Sequence, residues 1–320
     1  MGSLVGEFFF NFVFAATAAT ITSGALAERV ELVAYLKYCV LLTGFVQPVT
    51  VHWTWSNGFL LYPSESFGLP ANVFFRDYAG GCNVHAVGGV AALVGCAFIG
   101  PRIGKYHYGE DGKTDYHIPG HSTPLACLGG FILVTGFLGM ALGHGSNIEL
   151  SSTNMIIGGS ISGLTAMLAK YLKTHYYNYK HKKAKPRYWS FLILVDAVLC
   201  GMVAMCSGAN IIEPYGAAFI GFVASFVFMG TEHLIHNLGL DDPLGSIAVH
   251  LGGGLTGILL IPFFMRRKYG AIEGILYWEG CEKDIYTGTN STAWSQGDCL
   301  YTPFYQLGQL LEQVYLIPMY

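Results

Sequence analysis

Two histidines in this 320-residue chain sit in the same local pattern. Asp77-Tyr-Ala-Gly-Gly-Cys-Asn-Val-His85 continues into Ala86-Val87-Gly88-Gly89, and Asp242-Pro-Leu-Gly-Ser-Ile-Ala-Val-His250 continues into Leu251-Gly252-Gly253-Gly254. Both read D-x7-H-x2-G-G, 165 residues apart, and both run on into apolar sequence. An aspartate suits a helix N-terminus, where its carboxylate accepts from free backbone N–H groups and opposes the helix dipole. Pro243, directly after Asp242, fits the first helical position. Eight residues further on a helix has risen about 12 Å. Two such helices entering a ~30 Å hydrocarbon layer from opposite faces would each deliver a histidine near its middle. The glycine pairs beyond would let the two backbones approach closely there.

An ionisable side chain at membrane depth is a functional candidate by default. Neutral imidazole carries one donor and one acceptor, so two facing rings can share a hydrogen bond and line a path. Two other readings stay open at this point. Each ring could instead bond a carbonyl or hydroxyl of a neighbouring helix, or the pair could belong to a metal site. Two histidines without a third ligand make an incomplete zinc site, and the carboxylates of the pattern lie about 12 Å away at the helix ends. An intramembrane metalloenzyme is therefore disfavoured; neither a metal nor a cofactor is expected. No phosphate loop, nucleotide fingerprint, haem motif or arginine ladder accompanies the pair.

The elements that must position these residues are legible in the composition. Charged residues are 12% of the chain, against about 25% in soluble proteins. Apolar residues make up 52%, glycines number 42, and mean hydropathy is +0.45. Such a chain is not a disordered segment, a disulfide-rich miniprotein or a basic nucleic-acid binder. It reads as an all-α, polytopic helical membrane protein. Eight stretches of about twenty apolar residues, each long enough to cross a bilayer, fall near 5–26, 33–54, 83–100, 123–143, 153–172, 190–208, 215–236 and 246–265. The two histidine patterns open the third and eighth stretches, five crossings apart, so they enter in opposite directions. That is the signature of an inverted-topology repeat.

Orientation follows from the positive-inside rule. With the N-terminus outside, 12 of the 17 Lys and Arg fall at or near the cytoplasmic connections, dominated by the run Lys180–Arg187. Arg266, Arg267 and Lys268 point the other way. The expected organisation is a transmembrane domain over 1–268 and a divergent extracellular tail over 269–320. The tail carries a glycosylation sequon at Asn290-Ser291-Thr292, flanked by Cys281 and Cys299 in the manner of a small extracellular disulfide loop. The expected location is the plasma membrane.

The residues then become recognisable as a set. Phe14-Ala-Ala-Thr-Ala-Ala-Thr-Ile-Thr-Ser-Gly-Ala-Leu-Ala-Glu-Arg29, Val51-His-Trp-Thr-Trp-Ser-Asn-Gly-Phe-Leu60 and the two aspartate–histidine segments together resemble the ammonium transporter family, which includes the Rhesus proteins. The likeness runs from about residue 5 to 265. It implies a homotrimer of helical subunits, each with its own pore. It implies that Trp55 and Phe10 form an aromatic outer vestibule and gate where ammonium (or methylammonium) is held by cation–π attraction, worth roughly 0.5–2 kcal/mol. Asp77 and Asp242 are read as capping and orienting residues, and Ser146 as a recruitment serine. His85 and His250 match the paired pore histidines. Through an apolar pore of this kind, ammonium loses a proton and crosses as ammonia, with the histidines either solvating the neutral species or relaying the proton.

Several positions depart from the family pattern. Gly136-Phe-Leu-Gly-Met140-Ala-Leu-Gly-His144-Gly-Ser-Asn147 stands where a second gating phenylalanine is usual, leaving Met140 or Leu142 at that place. Gly245 replaces a usual acidic residue, and Asp196 lies inside an apolar stretch. His52 and His144 read as interfacial residues at the outer ends of spans. The chain matches the family from its third helix to a point before its last, so the first two helices and the closing one are expected to be absent. Two functions are weighed: conduction of ammonium or ammonia, and a non-conducting structural or sensing member or inactive fragment.

Overall fold

The computed structural model describes residues 4–56, 58–61, 75–109, 112–116, 118–181, 189–269, 274 and 276. Among them are eight helices: α1 Leu4–Ala25, α2 Leu32–Thr54, α3 Gly81–Ile99, α4 Thr123–Gly143, α5 Ile148–His181, α6 Phe191–Cys206, α7 Pro214–Asn237 and α8 Ile247–Phe264. All but α6 are long and apolar enough to cross a membrane, and the protein is a multi-pass membrane protein. At 16 residues α6 spans only about 24 Å. It is also heavily buried, with every residue from Leu199 to Cys206 enclosed by protein, so its ends need not meet the bilayer surfaces. The expected span at 153–172 is the middle of α5, whose 34 residues make a rod of about 50 Å that overruns the hydrocarbon layer. The connection between α3 and α4 folds partly into an antiparallel hairpin, β1 Tyr106–Gly109 with β2 Gly112–Asp115.

Helix starts follow local chemistry. Ser122 and Ser190 accept from the N–H groups of Leu125 and Ile193 as N-caps of α4 and α6. Prolines 124 and 214 sit in the first turns of α4 and α7, where a missing N–H costs nothing. Glycines on α5 admit neighbours closely: a methyl on Gly159 would lie 2.7 Å from Met202 of α6, and one on Gly158 would lie 2.7 Å from Met205. The outer face of α2 is bare, with Leu32, Val33, Leu36, Val40 and Leu41 exposed.

The repeat is present in three dimensions. α3 and α8 both begin as π-helix, Gly81–Ala86 and Ile247–Gly252, before continuing as α-helix. Asp77 Oδ2 accepts from the N–H groups of Cys82 (3.0 Å) and Asn83 (2.8 Å), and Asp242 Oδ2 accepts from Ile247 N–H (2.7 Å). Three residues after each aspartate stands a glycine in the left-handed region, Gly80 at φ +87° and Gly245 at φ +63°. Gly245 stands where the family resemblance leads one to expect an acidic residue. It is the repeat partner of Gly80, at a turn that disfavours a side chain. Beyond the histidines, Gly254 lies against the backbone of Gly81 and Ala86, while a methyl on Gly89 would lie 2.6 Å from Leu251 N. Partners thus run in reverse order along the two segments, as antiparallel helices require. Gly88 meets Ala18 O of α1, and Gly253 meets Cys200 O of α6, which makes α1 and α6 equivalent supports.

Candidate pore and outer vestibule

At the crossing of α3 and α8, His85 and His250 face each other. Their Nδ1 atoms are 3.1 Å apart, and the rings stack with centroids 5.1 Å apart and planes 13° from parallel. Both are buried, His85 completely. A 3.1 Å nitrogen–nitrogen contact needs one donor and one acceptor, so the two neutral rings must be opposite tautomers. His85 Nε2 is left buried without a hydrogen-bond partner. The π-turns matter here, because widening the helix at its first turn changes where the eighth residue after the aspartate points. π-Bulges concentrate at functional sites for that reason.

Phe137 of α4 stands edge-on beside the pair, 5.1 Å from the His85 ring and 6.2 Å from that of His250. This residue was passed over in the sequence, where attention fell on Met140 and Leu142. Leu142 is exposed. Met140 is buried in the core that also receives Phe10, Phe14 and Trp55. The signal was available: Phe137, Met140, Ala141 and His144 follow the i, i+3, i+4, i+7 rule for one helix face.

That face leads to a cluster of aromatic rings. Phe10 packs 4.5 Å from Phe14, and Phe14 meets Trp55 at 5.5 Å. His144, expected at an interface, stands instead among these rings, 5.0 Å from Phe10, 5.7 Å from Phe14, 5.6 Å from Trp55 and 5.1 Å from Tyr78. It lies just past the end of α4, and burial holds its imidazole well below the usual histidine range, at about 4. Phe14, buried deeper than half-buried Phe10, was not singled out from the sequence. The four-residue step from Phe10 to Phe14 places both on one side of α1.

Trp55 is tied to the histidine segment, since its Nε1 donates to Asp77 O at 2.5 Å. Asn83 Nδ2 reaches Thr54 Oγ1, also at 2.5 Å, linking α3 to the end of α2. Tyr78 donates to Ala141 O (2.7 Å) and Ser146 O (3.0 Å). Ser146 meets this cluster through that carbonyl, while its hydroxyl accepts from Asn210 Nδ2 at 3.2 Å. Asp77 and Asp242 do not reach the rings. Their carboxylates are turned to backbone N–H groups, as capping residues would be. Asn290, Cys281 and Cys299 lie outside the described residues, as does nearly all of the expected tail. Among the described residues no group of three or more His, Cys, Asp or Glu could hold a metal ion.

Comparison with known proteins identifies the family. A profile of the Ammonium Transporter Family matches residues 2–307. The chain is 38% identical over 311 residues to Putative ammonium transporter 1 of Caenorhabditis elegans, covering 94% of this chain and 53% of that protein. It is 35% identical over 280 residues to Ammonium transporter 1 member 1 of Oryza sativa subsp. japonica, covering 82% of this chain and 53% of that one. Among solved structures, the Sensor Amt Protein superposes with a TM-score of 0.71 at 28% identity, over 98% of this chain and 69% of its own. Candida albicans Mep2 superposes with a TM-score of 0.69 at 22% identity, over 96% of this chain and 60% of its own, a likeness of fold alone. The chain spans about half the length of the curated relatives it matches.

Proposed function

Because the chain belongs to the ammonium transporter family, we propose that it moves ammonium or ammonia across a membrane through the path from the aromatic vestibule to the histidine pair. Ammonium is gathered at the rings of Phe10, Phe14 and Trp55 by cation–π attraction. It gives up a proton to water at the entrance, before the apolar stretch lined by Phe137 and Met140. Ammonia then passes the histidines, and a proton is regained on the far side. Desolvation decides the species: an apolar, water-poor path imposes a large cost on any ion, and a much smaller one on a neutral molecule. K⁺ and Na⁺ cannot shed their charge.

The observation that carries this reading is the pair itself. Two rings already share one hydrogen bond, and His85 Nε2 is buried with none. An orphaned buried polar atom costs roughly 1–3 kcal/mol. Ammonia, with three donors and one lone pair, satisfies that nitrogen in either tautomer. Uptake of labelled methylammonium into vesicles holding the 320-residue chain tests the proposal, and equal uptake by wild type, His85→Ala and His250→Ala would refute the histidine path. Assembly as a homotrimer in the plasma membrane, with N-terminus and tail outside, belongs to the same proposal. Chemical crosslinking in native membranes and protease accessibility test these two points.

A second reading has one observation in its favour, the superposition on a protein described as a sensor. In that case the same cage binds ammonium without conducting it, and vesicles containing the chain take up no methylammonium although the purified protein binds ammonium.

A further inference from the structure

Cation–π attraction alone distinguishes ammonium poorly from K⁺, because each is a compact monovalent cation. The vestibule holds a group that can make the distinction. His144 is ringed by Phe10, Phe14, Trp55 and Tyr78 at centroid distances of 5.0 to 5.7 Å. Its Nε2 is buried and has no hydrogen-bond partner. The ring follows the last residue of α4, so the negative end of that helix dipole also faces the cage and favours any cation there. Aromatic faces and dipole treat both cations alike. A neutral imidazole lone pair does not: ammonium can donate an N–H to it in a charge-assisted hydrogen bond, whereas K⁺ has no proton to offer.

We propose that His144 is the specificity-determining residue of the vestibule, its Nε2 accepting a hydrogen bond from ammonium and thereby selecting it over K⁺. The inference rests on the ammonium reading given above and adds a third histidine to it. The imidazole stands between the rings, so an ammonium held against their faces is within reach of Nε2. His144 lies seven residues beyond Phe137 on one face of α4, about 10 Å along the helix axis.

The test uses the full 320-residue chain purified in detergent, titrated calorimetrically with ammonium chloride and separately with potassium chloride. Wild type is expected to bind ammonium more tightly than K⁺ by on the order of tenfold, the worth of one hydrogen bond. His144→Phe keeps a ring in the cage but has no acceptor. It should bind the two cations equally, with K⁺ affinity undiminished. His144→Gln, whose amide oxygen can accept, should recover part of the preference, and it serves as the comparison if the phenylalanine variant does not fold. A wild-type preference for ammonium in His144→Phe overturns the proposal, as does a wild-type chain that binds both cations equally. Failure of the transport reading looks different: no methylammonium uptake by wild type, with the ammonium preference and its loss in His144→Phe intact.

Discussion

At the scale of single residues, the two aspartates do structural work that the histidines depend on. Asp77 holds two buried N–H groups of the first π-turn, and Asp242 holds one of the second. Asp77→Ala leaves those donors unsatisfied, at roughly 1–3 kcal/mol for each. Thermal unfolding in detergent should show a clear drop in melting temperature for Asp77→Ala. Asp77→Asn, which keeps an acceptor oxygen, should recover most of it; equal losses in the two variants would count against the capping role. These aspartates and both histidines were legible from spacing, because D-x7-H recurs with the same residue types. His144 was not. A lone histidine near a span end looks interfacial until the positions of Phe10, Phe14, Trp55 and Tyr78, which come from three separate parts of the chain, are known. Ser146 was found by alignment, yet its hydroxyl is engaged by Asn210.

At the scale of elements, the two half-repeats approach each other backbone to backbone. Gly254 lies against the backbone of Gly81, and Gly89 against that of Leu251, so neither contact can be relieved by turning a side chain. Valine at either position forces the helices apart at the histidines. Overpacking of this kind typically costs about 1–3 kcal/mol, and Gly89→Val and Gly254→Val should each lower both melting temperature and methylammonium uptake. Gly136→Val provides the contrast, because nothing lies within 4 Å of a methyl there; it should behave as wild type. The glycine pairs were readable as sites of close approach. The π-turns were not, since they arise from how Asp77, Asp242 and the left-handed Gly80 and Gly245 redirect backbone N–H groups. Residue type alone made Gly245 look like a loss. The expected stretch at 190–208 ends in a buried turn after Cys206, so the helix itself stops two residues sooner.

At the scale of the whole molecule, a charged clasp joins parts of the chain far apart in sequence. Arg29 donates to Gly100 O (2.7 Å) and Asp241 O (2.6 Å), and Arg102 bridges Asp241 (2.8 Å) and Glu28 (2.7 Å). This ties the α1–α2 corner to the end of α3 and the start of α8. The Ala-Glu-Arg segment, noticed only as a family likeness, thus has a physical role. Burial by itself would raise the Asp241 carboxyl, but its bonds to Arg102 outweigh this and hold it below the usual carboxylate range. A group lowered by folding stabilises the folded state above its unfolded value and ceases to do so as pH falls through the lower folded one. The wild type should therefore lose melting temperature on acidification below the ordinary aspartate range, and Asp241→Asn should show a shallower loss from a lower starting point. Arg102→Ala, which strands a buried carboxylate, should cost about 3–5 kcal/mol. The most direct test of the proposed path is flux. Initial rates of labelled methylammonium uptake should be measured in vesicles containing equal amounts of folded wild type, His85→Ala and His250→Ala. Concentration-dependent uptake by the wild type that falls sharply in both variants is the expected result. Uptake that survives both substitutions unchanged would contradict the histidine path.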